Sequence, residues 1–110
     1  MSYGGCKTTR EFHYKGMHFR ELVGGVYDCI VEVMKERTLH VRVYRFTGPI
    51  WRAFVSIRDP YDQDTVVLGR GEGPSKGEAI DAAILCAVET LESAASMLRS
   101  VMRDGLEVSK

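Results

Sequence analysis

Residues 69–85 read GRGEGPSKGEAIDAAIL, and this stretch decides how the chain is expected to fold. Glycines alternate with Arg70 and Glu72, and an alanine-rich run follows them. Ser75 and Glu78 stand three residues apart, which is the spacing of a capping box at the start of a helix. The stretch therefore predicts a tight turn that leads into a helix. A glycine-rich cradle for a phosphate group at the helix N-terminus is the alternative interpretation.

The alanine-rich run continues as an apolar stripe with the spacing of one helix face, which predicts a helix over residues 76–103. At 1.5 Å per residue such a helix is about 40 Å long, which is more than a small sheet can cover. Its last turns are therefore expected to form a dimer seam or a docking helix for a partner, unless residues 1–17 fold back over them. The stripe consists of Ile80, Ile84, Ala87, Leu91, Ala95, Leu98 and Met102.

Upstream of the glycines, alternation between apolar and polar residues predicts strands over 39–46, 51–58 and 65–70. Residues typical of turns separate these segments. Nearer the start of the chain, apolar residues recur at helical spacing and predict a helix over 26–37. The helix is not extended before residue 26, because Gly24 and Gly25 would each destabilise a helix by about 1 kcal/mol relative to alanine. The apolar residues are Leu22, Val26, Ile30, Val33 and Met34.

The predicted order is helix, three antiparallel strands, helix, with both helices packed on the apolar face of the sheet. This is a two-layer α+β domain with the order α-β-β-β-α. Residues 1–17 are expected to form a flexible N-terminal arm and residues 106–110 a C-terminal tail. Residues 18–105 form the predicted domain, which includes the extended C-terminal helix.

The charge distribution limits the kinds of partner to consider. The net charge of the 110 residues is zero, but residues 7–58 carry +5 while residues 59–74 carry −3 and residues 75–110 carry −2. This split permits an anionic partner on one face, or head-to-tail self-association. No apolar run reaches the roughly 18 residues of a membrane span. The first residues also lack the apolar stretch of a secretory signal, so a cytoplasmic location is expected.

No group of residues has the spacing of a catalytic or metal site, and the chain is expected to be non-enzymatic. The three cysteines lack a Cys-x-x-Cys spacing and are expected to be reduced thiols. The histidines show no standard ligand spacing, and the aspartates of residues 59–64 are typical of a solvated loop. We therefore predict no catalytic residue, no metal and no cofactor. The side chains that could in principle bind a metal are Cys6, His13, His18, His40, Asp59, Asp62 and Asp64.

Several short motifs follow one another between residues 20 and 92. They are Thr47-Gly48-Pro49, Phe54-Val55-Ser56-Ile57, Gly69-x-Gly71-x-Gly73-x-Ser75-Lys76, Glu78-Ala79 and Ala82-Ala83. In this order and spacing they resemble the double-stranded RNA-binding domain. The resemblance implies the α-β-β-β-α fold. It also implies a surface that contacts duplex RNA through the start of the last helix and the loop between the first two strands.

The resemblance implies that Lys76 contacts a phosphate and that the Gly48-Pro49 loop reaches a minor groove. Other positions depart from the family pattern, since Gly77 and Ile80 stand where lysines are expected and a tryptophan replaces a histidine. An RNA site with few cations binds a duplex weakly, because phosphate contacts supply most of the affinity. The RNA-binding residues, if the chain binds RNA, are Lys76, Gly48, Pro49, Trp51 and Lys35.

The polar side of two predicted strands combines arginines with aromatic rings and faces away from the predicted helices. An open face of this kind favours contact with another protein or with a second copy of the chain. Stacking of single-stranded nucleic acid is the alternative. Together with two residues of the last helix, these side chains form the predicted protein-contact surface. It consists of Arg42, Tyr44, Arg52, Phe54, Arg58, Leu98 and Met102.

The leading hypothesis is a small non-enzymatic adaptor or accessory protein, such as a viral or phage protein, that acts through contacts with another protein or as a homodimer. The alternative is a double-stranded RNA-binding protein that uses Lys76, the Gly48-Pro49 loop and the basic residues of the first half. A ribosome-associated factor is a third and more distant interpretation.

Overall fold

The computed structural model describes residues 10–58 and 65–108, with the backbone alone for Met34 and residues 105–108. The described residues form a six-stranded antiparallel sheet followed by one long helix. Each strand pairs with its neighbours in the chain, so the order of strands in the sheet is their order in the sequence. The elements are β1 (Glu11–Tyr14), β2 (Met17–Val23), β3 (Val26–Met34), β4 (Arg37–Thr47), β5 (Ile50–Arg58), β6 (Thr65–Gly73) and α1 (Lys76–Val108).

The predicted three-stranded sheet with two helices is wrong, and with it the fold of the double-stranded RNA-binding domain. The segment predicted as the first helix is β3, which pairs with β2 on one side and β4 on the other. Its residues are rich in valine and isoleucine, which favour strands. Tyr27 and Cys29 are buried two residues apart, as the alternation of a strand requires. Gly25, with a φ of 79°, lies in the turn before it.

Part of the predicted flexible arm is ordered in the sheet. Residues 11–14 form β1, which pairs with β2 from Tyr14 opposite Met17 to Glu11 opposite Arg20. The turn between these strands has positive φ angles at both Lys15 (49°) and Gly16 (83°), as a two-residue type I′ hairpin turn requires. Residues 1–9 of the predicted arm lie outside the described residues.

The three strands predicted from alternation are present as β4, β5 and β6, but β6 runs through Gly73, so the alternating glycines that were predicted to form a tight turn lie within the strand. The predicted start of the last helix is also correct. The Glu78 amide donates to Ser75 Oγ over 3.2 Å, so the serine caps the helix as a capping box predicts. The helix continues past the predicted end at residue 103 to Val108.

The core lies between one face of the sheet and the first half of α1. The helix packs along β5 and β6, and alternate glycines of β6 allow a close approach. A Cβ built on Gly71 would stand 2.4 Å from the main-chain nitrogen of Ala83, and one on Gly69 would stand 2.4 Å from that of Ala87. The buried side chains are Phe19, Tyr27, Cys29, Val41, Val43, Ala53, Val55, Ala79, Ile80, Ala83 and Ala87.

The sheet curls so that its first hairpin reaches the start of the helix. Tyr14 donates a hydrogen bond to Asp81 over 2.7 Å, and the Lys15 ammonium lies 3.1 Å from the same carboxylate. The hydrogen bond from Tyr14, and then that from Lys15, lower the pKa of Asp81. The first turns of α1 are thereby held from both edges of the sheet, by β6 and by the β1–β2 hairpin.

Candidate functional site

Lys76, the residue predicted to contact an RNA phosphate, points into a cluster of aromatic rings. Its ammonium lies 4.4 Å from the ring centre of Phe12, 4.9 Å from that of Tyr27 and 5.3 Å from that of Trp51. A lysine cation is attracted to the faces of such rings. Trp51, another of the predicted RNA-binding residues, is half-buried in this cluster. Lys76 therefore serves to join the start of the helix to the sheet.

The remaining residues of the predicted RNA site are divided between the two ends of β4. Gly48 and Pro49 are exposed in the turn that follows β4, whereas Lys35 lies in the turn that precedes it. The 11 residues of β4 separate these turns by roughly 35 Å at the rise of a strand. The structure therefore does not bring the five predicted RNA-binding residues into one site.

The predicted sheet-face residues do share one face of the sheet, opposite to the helix. The strand register places Arg42, Phe54 and Arg70 in one row across β4, β5 and β6. Tyr44, Arg52 and Glu72 form the next row, and Arg58 lies on the same face nearer the other end of β5. No element within residues 10–58 and 65–108 covers this surface, which we name the open face.

Two of the arginines on the open face have carboxylate partners. The guanidinium of Arg52 donates to Glu72 over 2.7 Å, and this hydrogen bond raises the pKa of Arg52. Arg42 Nε lies 3.4 Å from Asp28, whose second oxygen lies 2.9 Å from His40 Nδ1. In the part of the chain that the structure describes, Arg58 and Arg70 have no carboxylate within ion-pair distance.

Aromatic rings on the open face stand beside two shallow depressions. The rings of Tyr44 and Phe54 are stacked with centres 6.0 Å apart, and the Arg70 guanidinium lies 5.9 Å from the ring centre of Phe54. One depression, of about 250 Å³, is lined by Phe54 with Arg42 and Arg58. The other, of about 380 Å³, is lined by Phe54 with Arg52 and Arg70. Phe54 therefore forms the wall between two depressions that are each lined by arginines.

The second surface is the part of α1 that runs beyond the sheet. The helix has 33 residues and is about 50 Å long, while β6 has nine residues and spans about 30 Å. The side of α1 that packs on the sheet through Ala83 and Ala87 continues into solvent. Leu98 and Met102 there are 64% and 66% exposed. We name the set the distal stripe: Leu91, Ala94, Ala95, Leu98, Val101 and Met102.

The described residues hold no group of three or more histidine, cysteine or acidic side chains placed to bind a metal ion. Among the same residues, no helix is long and apolar enough to cross a membrane. Cys29 and Cys86 are free thiols, and burial raises the pKa of Cys29, so its reactive thiolate form is disfavoured. Cys6 lies outside the described residues.

Comparison of the chain with protein-family models, with curated proteins and with solved structures gave no match.

Proposed function

We propose that this chain is a small non-enzymatic interaction module that associates with a second copy of itself through the distal stripe. The observation that carries the proposal is the exposure of Leu98, Val101 and Met102, each about two thirds exposed on one side of the helix. Apolar side chains gathered on one exposed surface mark sites of protein contact. A single helix that extends past its domain is also only marginally stable unless it packs against something.

Charges beside the distal stripe support a second copy in antiparallel orientation. Glu92 and Arg99 are exposed and seven residues apart, so they lie on the same flank of the helix two turns apart. An antiparallel pair centred at the level of Ala95, midway between Glu92 and Arg99, brings Glu92 of one copy near Arg99 of the other, twice by two-fold symmetry. A parallel pair in register instead sets like charges at the same level. Pairing of Glu92 with Arg99 across the seam is therefore made in the antiparallel arrangement and not in the parallel one.

In this role the protein acts as an adaptor or accessory protein in the cytoplasm. The free thiols of Cys29 and Cys86 suit a reducing compartment. The geometry does not favour duplex RNA as the partner, because the Lys76 ammonium is engaged by three aromatic rings and Lys35 lies at the opposite end of β4 from the Gly48-Pro49 turn. The distal stripe is thus the surface to which we assign the polypeptide contact.

Charge reversal across the pair tests the proposed orientation. Glu92→Arg or Arg99→Glu alone places two pairs of like charges across the seam and is expected to weaken dimerisation by about tenfold or more, from the usual strength of such pairs. The double variant restores opposite charges and is expected to return the dimer to nearly the original affinity. Sedimentation velocity over a range of concentrations measures the dissociation constants.

Glu89→Arg is the matched control, because Glu89 is exposed and lies on the opposite side of the helix from the distal stripe. It should leave the dimer unchanged. A double variant that stays as weak as the single variants would rule out the antiparallel seam. A wild-type chain that sediments as a monomer at every concentration would remove self-association altogether.

A further inference from the structure

Among residues 10–58 and 65–108, the side chains of the open face carry more positive than negative charge. Five arginines lie on it, from Arg20 on β2 to Arg70 on β6, against three carboxylates at Glu11, Asp28 and Glu72. Cores of protein–protein interfaces are depleted of charged residues, whereas surfaces that bind nucleic acid are basic. The charge of this face therefore favours a polyanion as its ligand.

Two arginines that have no carboxylate within ion-pair distance among the described residues, Arg58 and Arg70, stand on opposite sides of the half-buried ring of Phe54. Arg58 lines the depression on one side, and Arg70 lines the depression on the other. His40, Ser56 and Thr65 add polar side chains to the first depression. The depressions, of about 250 and 380 Å³, lie just below and just above the lower limit of the roughly 300–1,000 Å³ typical of pockets for drug-sized ligands, and two such neighbours that share one ring suit successive units of a polymer.

We propose that the open face binds single-stranded nucleic acid, with a base stacked on Phe54 and flanking phosphates on Arg58 and Arg70. Stacking on an aromatic ring requires an unpaired base, since the faces of paired bases are covered by their neighbours. A basic groove combined with stacking rings is the chemistry of single-strand binding. Both Arg42 and His40 line the first depression. The Asp28 carboxylate lies 3.4 Å from Arg42 Nε and 2.9 Å from His40 Nδ1, and so holds both side chains beside the proposed path of the nucleic acid.

Fluorescence anisotropy with labelled oligonucleotides tests this binding. The probes are oligouridylate and oligothymidylate of about 12 nucleotides, within the range of single-strand sites, and an RNA duplex of the same length. Wild-type protein is expected to bind the single strands with a dissociation constant of about 1–100 µM at low salt, and to bind the duplex more weakly. A difference between the two single-stranded probes identifies whether RNA or DNA is preferred. Binding to no probe, or preference for the duplex, overturns the proposal.

Substitutions distinguish specific binding at the open face from non-specific attraction by the net charge of the protein. Phe54→Leu keeps an apolar side chain but removes the ring, and is expected to weaken binding roughly 5- to 150-fold, the loss of one stacked base. Arg58→Gln with Arg70→Gln is expected to make the salt dependence shallower by about 1.4 in log–log slope, at about 0.7 per phosphate. Arg45→Gln with Arg103→Gln is the matched control, with the same loss of charge at two exposed positions that lie off the open face.

An equal loss of affinity in the Arg45→Gln, Arg103→Gln control and in the open-face pair would show binding by net charge alone and would overturn the proposal. Circular dichroism and melting of each variant establish that it is folded. If Phe54→Leu does not fold, Phe54→Tyr replaces it, and this variant is expected to retain binding within about threefold because it keeps a stacking ring. Loss of binding in Phe54→Tyr, with the fold intact, would contradict the stacking.

Discussion

Gly71→Ala is expected to destabilise the protein by about 3 kcal/mol or more, at the upper end of the cost of overpacking a core. The added methyl group would stand 2.4 Å from the main-chain nitrogen of Ala83, 2.5 Å from the Ala82 Cβ and 2.7 Å from the Ala79 carbonyl oxygen. Because two of these atoms belong to the helix backbone, the whole first half of α1 must move away from β6. Small domains have only about 5–15 kcal/mol of stability, so this loss is a large fraction of the total.

Urea denaturation followed by circular dichroism measures the effect as a change in the free energy of unfolding. Gly24→Ala is the matched control, because its Cβ would meet no atom within 4 Å and its φ is not positive. The control is expected to change the stability by less than about 0.5 kcal/mol, as surface substitutions usually do. Equal stability of the two variants would mean that the helix does not lie as close to β6 as described.

If the chain forms the proposed dimer, Leu98→Glu is expected to convert it into a monomer, with dimerisation weakened by at least about 100-fold. The substitution buries a carboxylate in the apolar seam of the antiparallel helix pair, and an unpaired buried charge costs several kcal/mol. The fold should survive, because Leu98 lies beyond the sheet and outside the buried core. Light scattering reports the mass in solution, which should fall from twice the chain mass to the chain mass of 12.3 kDa.

Ser96→Glu is the control for this substitution, since Ser96 is exposed on the same stretch of helix but on the side away from the distal stripe. It adds the same charge and should leave the mass at that of the dimer. A Leu98→Glu variant that keeps the mass of a dimer would place the contact between copies elsewhere on the chain.

The C-terminal half of the fold could be predicted from the sequence because its signals are local. The alternation in β4 and β5 depends on side chains two residues apart, and the start of α1 depends on Ser75 and Glu78. The same alternation predicted that Arg42, Tyr44, Arg52, Phe54 and Arg58 share one face of the sheet, and the register of β4 and β5 agrees. It could also have found Arg70, which alternates with Gly69 and Gly71 along β6.

The N-terminal half was predicted wrongly because its signals compete. The apolar residues of β3 recur at helical spacing, but they are also β-branched, and pairing with strands on both sides decided the outcome. The surroundings of Lys76 could not be predicted at all. Its aromatic partners, Phe12, Tyr27 and Trp51, lie on three different strands, and two of these strands were absent from the predicted fold.

The central claim is that the distal stripe packs against a second copy. Amide hydrogen exchange over residues 91–104 tests this claim when it is measured in the wild-type chain and in Leu98→Glu. In a monomer most side chains of this part of α1 are exposed, so its amides should exchange quickly. The account predicts slow exchange in the wild type and at least about tenfold faster exchange in Leu98→Glu, with the amides of β5 unchanged in both. Equal exchange rates over residues 91–104 in the two proteins would contradict the account.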